Sequence, residues 1–158
     1  MTRYPRRAAL VLIFSAIAAC GRKGAPQSAE DHSPTPLYPN ETPELRRQIK
    51  DYARQYDVPV DLVQRVIKRE SSHIPGARNG PYYGLMQIAL PTARTMGYTG
   101  SAQGLLAADT NLKYGVKYLR GAWLLADGSY DQAVKWYSSG YYYEAKRRGM
   151  LIETGLRG

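Results

Sequence analysis

Residues 63–93 read VQRVIKRESSHIPGARNGPYYGLMQIALPTA, and this stretch decides the fold. It holds one carboxylate, Glu70. Val63, Val66 and Ile67 precede Glu70 by seven, four and three residues, so a helix places it on their apolar face. Such a face is buried in a folded domain, and burial disfavours an ionised carboxylate. Ser71-Ser72 and then Pro75-Gly76 cannot extend the helix cleanly, so Glu70 falls in its last turn. There the negative end of the helix dipole opposes the charged form by about 0.3–1 kcal/mol. Both effects raise the pKa and suit a general acid at neutral pH. A Glu at a helix end is otherwise a solvated charge. After Glu70 the chain enters a loop rich in Gly, Pro and Tyr, and then the turn Gly84-Leu85-Met86-Gln87-Ile88.

Glu70-Ser71, Pro75 and Ala77, Gly84 to Ile88, and Pro91-Thr92-Ala93 together resemble the signature of the lytic transglycosylases related to the soluble Slt enzyme. Downstream, Asn111-Leu112 with Gly115 and Tyr118-Leu119, then Ala133-Val134 with Tyr137 and Gly140, resemble the same family in the same order. The resemblance runs roughly from residue 58 to 149. It implies a mainly α, lysozyme-like domain of the α+β superfamily, with a catalytic cleft in a single globular unit. It implies cleavage of the β-1,4 bond between N-acetylmuramic acid and N-acetylglucosamine in peptidoglycan. Glu70 would protonate the leaving oxygen and, as carboxylate, take the proton of the sugar's own C6 hydroxyl, giving a 1,6-anhydro end. Tyr137 would orient Glu70 or the substrate, Gln87 and the Met86 backbone would line the cleft, and Ser71 would join them in binding glycan.

Three features depart from the family pattern. The segment from Glu70 to Gln87 is one residue shorter than usual, with Asn79-Gly80-Pro81-Tyr82-Tyr83 at positions the family fills with small residues. His73 stands where an aromatic ring is common, and the Tyr-Asn-Ala-Gly motif reads Tyr137-Ser138-Ser139-Gly140. Two other functions stay open on the residues alone. A hydrolytic muramidase of the lysozyme type would need Asp109 or Asp131 to reach the cleft as a second carboxylate. A wall-binding lipoprotein would use the cleft without turnover, against which Glu70 and Tyr137 both speak.

The N-terminus reads as a processing signal. Arg3, Arg6 and Arg7 form a basic region, and Ala8 to Ile17 is an apolar run too short to span a bilayer comfortably. Ile17-Ala18-Ala19-Cys20 resembles a bacterial lipoprotein box, which implies cleavage after residue 19 and acylation of Cys20. Because Arg22, not Asp, follows Gly21, the usual sorting pattern would place the lipoprotein on the outer of two membranes, facing the periplasm. Cys20 is the one cysteine, so an intrachain disulfide is excluded. Residues 20–42 have the mixed Pro, Ser and charge composition of a flexible tether. His32 lies within it without a partner pattern.

The catalytic domain is expected over residues 43–158. Thr42-Pro43-Glu44 reads as a helix cap, and Leu45, Ile49, Tyr52 and Tyr56 make an apolar stripe beneath a basic outer face. Asp57-Val58-Pro59 ends that helix, and the Glu70 helix begins near Val60. Gly84 to Ile88 is expected as a short turn of helix, with Pro91 opening another that stops at Gly97. Ser101 to Ala108 is expected as loop. Asp109 is expected to cap a helix with the core stripe Leu112, Val116, Leu119 and Trp123. Ser129 with Gln132 resembles a capping box, and Tyr141 to Arg148 reads as a last helix ended by Gly149. A small β element fits in the loop before Gly84.

Fourteen tyrosines stand against one Phe, which lies in the signal. Tyrosine joins a large apolar body to a polar tip, a combination that suits a sugar-binding groove. Tyr52, Tyr114 and Tyr118 are assigned to packing. Tyr82, Tyr83, Tyr141, Tyr142 and Tyr143 lie near the motif loops, and Tyr83 is taken as a substrate contact. The net charge of +9 falls to about +6 once the three signal arginines are set aside. Without a nucleic-acid motif in an exported chain, that charge fits attraction to an anionic wall. Neither a metal-ligand cluster nor a phosphate-binding loop is present in the sequence, so no cofactor is expected.

Overall fold

The computed structural model describes residues 35–157. The signal, the lipidation candidate Cys20 and the tether as far as residue 34 lie outside the described residues. Thr42 opens the first helix, α1 (Pro43–Gln55), with its hydroxyl accepting from the Leu45 N–H at 3.1 Å. Pro43 lacks the N–H that would be orphaned there, and Glu44 meets the positive helix end. Leu45, Ile49 and Ala53 are buried, with Tyr52 and Tyr56 packed at the margin. Asp57 adopts a left-handed backbone (φ 52) and Pro59 leads into α2 (Val60–Glu70). Leu62, Val63, Val66 and Ile67 of α2 face the core, as the spacing predicts.

The loop before Gly84 holds two strands of the β element, and the third follows the Gly84 turn. Strands β1 (Arg78–Asn79), β2 (Tyr82–Tyr83) and β3 (Ile88–Ala89) form an antiparallel sheet in that order, with Tyr83 opposite both Arg78 and Ile88. The helical turn expected over Gly84 to Ile88 is therefore a turn feeding a strand. Left-handed backbone at Gly84 (φ 72) and Gln87 (φ 45) breaks any helical run there. Pro91 sits in the first turn of α3 (Leu90–Thr95), and Gly97 follows its end with φ 97.

The segment 101–108 is not plain loop. The Ser101 hydroxyl accepts from the Gly104 N–H at 3.4 Å and starts a 3-10 helix, Ala102–Leu106, whose Leu105 is fully buried. The long central helix α4 (Ala108–Leu124) begins after Ala107, so Asp109 lies inside its first turn rather than capping it. There Asp109 accepts from the Tyr52 hydroxyl at 2.7 Å. Leu112, Val116 and Leu119 are fully buried, whereas Trp123 is half-buried against Tyr130. Helix α4 packs on α1, α3 and α5 (Tyr130–Ser139). Ser129 caps α5 by accepting from the Gln132 N–H at 3.2 Å. Helix α6 (Tyr142–Arg148) ends at Gly149, in the left-handed region.

Residues 35–42 correct the tether boundary, because they pack on the domain. Glu41 is 6% exposed and accepts from Gln64 (2.7 Å), from Arg46 Nε (3.1 Å) and Nη2 (2.5 Å), and from the Tyr38 N–H (2.9 Å). Gln64 in turn accepts from buried His73 at 2.7 Å, and the His73 ring stacks on Tyr38. A Pro-rich stretch becomes ordered here because one buried carboxylate finds four donors.

Candidate active site

Glu70 ends α2 with its side chain 23% exposed. It opens on a hollow of about 320 Å³ shared with Arg69, Asn79, Tyr82, Gln87, Tyr137 and Ser138. A second hollow of about 230 Å³ shares Tyr82, Gln87, Tyr137 and Ser138, and extends past Ile88 and Thr92 to Ser139 and Gly140. The shared walls make the two one groove, between the sheet and the C-terminal end of α5. Burial raises the pKa of Glu70 above the ordinary carboxylate value, and Arg69 offsets part of that rise. Arg69 Nε lies 3.6 Å from the carboxylate, beyond hydrogen-bond length. The group is thus biased toward its protonated form, as a proton donor requires.

Tyr137 is buried behind Glu70 in the groove wall and donates its hydroxyl proton to the Met86 carbonyl at 2.7 Å. Burial, and then the charges of Glu70 and Tyr118, push its pKa well above the usual phenol value. It remains a neutral phenol whose oxygen has only acceptor capacity left. Burial also pushes its edge-on neighbour Tyr118 up to about 12.

The turn that carries Gln87 is stapled from α4. Asn111, fully buried, accepts from the Met86 N–H (2.8 Å) and donates to the carbonyls of Tyr83 (2.7 Å) and Leu105 (2.8 Å). A Cβ at Gly84 would stand 2.3 Å from Asn111 Nδ2, which with its positive φ reserves the position for glycine. A Cβ at Gly115 would meet Met86 Sδ at 2.6 Å, so α4 can approach the turn only without a side chain there. Gln87 donates to the carbonyls of Ala77 (3.1 Å) and Gly84 (2.8 Å), which pins its side chain in a strained backbone.

Of the residues expected in the site, Glu70, Gln87 and Tyr137 come together. Met86 does not line the groove, because it is fully buried and both its backbone polar atoms are taken by Asn111 and Tyr137. Ser71 is buried at the end of α2, bonding back to the Ile67 carbonyl at 3.3 Å. Tyr83 is 8% exposed in a small core with Ile88, Ala93 and Leu105, and the Arg78 guanidinium covers its ring at 5.0 Å. Its neighbour Tyr82 takes the groove instead, since successive strand residues point to opposite faces. Tyr141 is buried and donates to the Tyr118 carbonyl at 2.9 Å. Tyr142 and Tyr143 are exposed and line neither hollow.

The sequence does not single out Arg69, although it adjoins Glu70, and Asn79 and Ser138 enter there only as departures from the family pattern, without a role in the site. Asn111 belongs to the motif pattern, but nothing in the sequence shows what it bonds. Asp109 is held by Tyr52, and Asp131 pairs with Arg65 across α5 and α2. Neither lines the groove, where Glu70 is the only carboxylate among the residues of both hollows. Among the described residues no cluster of three or more His, Cys, Asp or Glu could hold a metal ion.

The family model for the transglycosylase SLT domain matches residues 47–148. The chain belongs to that family. The match runs from within α1 to the end of α6 and contains every groove residue named above. The helical domain with its short sheet is the lysozyme-like fold of SLT domains. Membership makes the function one of transglycosylase type, directed at peptidoglycan. Neither a comparison with curated proteins nor one with solved structures gave a significant match.

Proposed function

We propose that this SLT domain is a lytic transglycosylase, cleaving the N-acetylmuramic acid–β-1,4–N-acetylglucosamine bond without water. The observation that carries this reading is the single carboxylate, Glu70, in a groove walled by polar and aromatic side chains. Protonated Glu70 gives its proton to the glycosidic oxygen as the C1–O bond breaks, and the sugar passes through an oxocarbenium-like state. The C6 hydroxyl oxygen of the same sugar then bonds to C1, and its proton returns to Glu70. Atoms balance with no water consumed, and the product is a 1,6-anhydro-muramyl end. The Tyr137 oxygen accepts a hydrogen bond from the Glu70 acid or from the sugar, and Gln87, Tyr82 and Ser138 hold the glycan.

A hydrolytic muramidase would place a second carboxylate across the bond, and Asp109 and Asp131 are engaged elsewhere. A binding module has no use for a half-buried carboxylate whose pKa burial raises at the end of a groove. Glu70→Gln should therefore lower digestion of purified sacculi by about 10²–10⁴ while the fold persists. Digestion at the wild-type rate would remove Glu70 from the chemistry. We propose further that Cys20 carries lipid and tethers the domain to the periplasmic face of an outer membrane, within reach of the wall. The lipobox resemblance supports this, and no helix among the described residues is long and apolar enough to cross a membrane.

A further inference from the structure

Arg69 lines the same hollow as Glu70, with more than half of its side chain exposed (54%) against 23% for Glu70. Its ion partner is Glu70 at 3.6 Å, too far for a hydrogen bond, and its guanidinium donates none among the described residues. Several other arginines of the domain are committed to carboxylates by hydrogen bonds. Arg148 holds Asp127 through two bonds of 2.9 and 3.0 Å, and Arg46 holds buried Glu41. A free guanidinium fork beside the scissile position also works against an acid, because its charge favours the Glu70 carboxylate. Glu70 is the only anion the groove itself supplies to it.

We propose that Arg69 is an anion-reading subsite, whose ligand is a carboxylate carried by the muramyl sugar next to the cleaved bond. This rests on the lytic transglycosylase reading. Planar guanidinium matches carboxylate with two parallel N–H donors, and such charge-assisted bonds are stronger than neutral ones. Two sources present that chemistry: the carboxylates of the peptide stem, and the lactyl carboxylate once the stem is removed. Binding draws Arg69 toward the substrate and off Glu70, so glycan carrying an anion both docks and restores the proton donor. The residue is thereby a specificity determinant of the groove.

Three substrates separate the sources: native sacculi, sacculi whose carboxylates are amidated with carbodiimide and methylamine, and glycan stripped of stems by an amidase. The full chain should prefer native over amidated sacculi by about tenfold in kcat/KM, the effect expected of one charge-assisted pair. Arg69→Gln should bring that ratio near one, and Arg69→Lys should keep part of it. Arg47→Gln, on the outer face of α1, should leave it unchanged, which separates the subsite from general attraction to a basic protein. With stems in place the lactyl carboxyl is tied up as an amide, so the native-to-amidated ratio reads the stem. Stripped glycan used as well as native sacculi adds the freed lactyl carboxylate as a ligand, and stripped glycan used as poorly as amidated sacculi leaves the stem as the sole ligand. If Arg69→Gln slows native, amidated and stripped substrates alike, or changes none of them, the subsite is refuted. Sedimentation of the Glu70→Gln chain with native and amidated sacculi, with and without Arg69→Gln, reads the same ratio without turnover. Failure of the wild type to make anhydro products would overturn the reaction alone, whereas an unchanged binding ratio would overturn Arg69 alone.

Discussion

At the scale of a residue, the chemistry rests on a carboxylate placed where its charge is unwelcome. Burial raises the pKa of Glu70 in the folded state, from the ordinary value of 4.5 that the unfolded chain keeps. Between those two values the native state holds a proton that the unfolded state has released, so stability falls as pH rises through the window. Glu70→Gln should accordingly raise the melting temperature at pH 7, and the gain should vanish below about pH 4.5, where both states are protonated. A difference in melting temperature that does not change with pH would show Glu70 to be solvated. The sequence shows this much because the residues before Glu70 fix its helical face and the serines and proline after it fix the helix end. It does not show which of Tyr82 and Tyr83 enters the groove. Two-residue strands have no period to read, and a register shift of one exchanges the faces.

At the scale of an element, the helices were legible and the segment before α1 was not. Apolar spacing and caps at Thr42 and Ser129 announce α1, α2, α4 and α5, but Thr35–Thr42 has the composition of a linker. Its order comes from Glu41, whose side chain is fully buried against Arg46 of α1 and Gln64 of α2, beside His73. Tyr38 adds a stack on His73 and lies under Arg46 and Lys68. Burial pushes the Glu41 pKa up, but the bonds from Arg46, Gln64 and the Tyr38 N–H outweigh it and leave it lowered. Burial holds the His73 pKa below its ordinary 6.5, with Arg46 and Lys68 acting the same way against Glu41. Both groups bind protons more weakly in the folded state, so stability is present at higher pH and is lost on acidification. His73 contributes from about pH 6.5 downward, and Glu41 from about 4.5 downward. Removing one partner of such a pair strands the other, so Glu41→Ala should cost about 3–5 kcal/mol in urea unfolding at pH 7. A loss under about 1 kcal/mol would mean that the segment is a tether after all. A soluble form should start before Thr35, since cutting at Pro43 removes Glu41.

At the scale of the whole molecule, a basic chain with an acid-bearing groove is suited to an anionic polymer held nearby. Lipidation at Cys20 would keep it at the wall, and incorporation of a labelled fatty acid should disappear in Cys20→Ser. Label retained by that variant would refute the anchor. The groove's chemistry is decided by its products. With Glu70 alone, water has no dedicated base, and the C6 hydroxyl competes for the same carboxylate with an effective concentration of up to about 10⁵ M or more. The most direct measurement is mass spectrometry of muropeptides released from sacculi by the full chain in ¹⁸O-labelled water. A single-acid groove should release fragments one water lighter than those of a hydrolytic muramidase, with no label and no new reducing ends. Reducing fragments carrying one labelled oxygen would contradict it, and would require a second carboxylate that the groove does not contain.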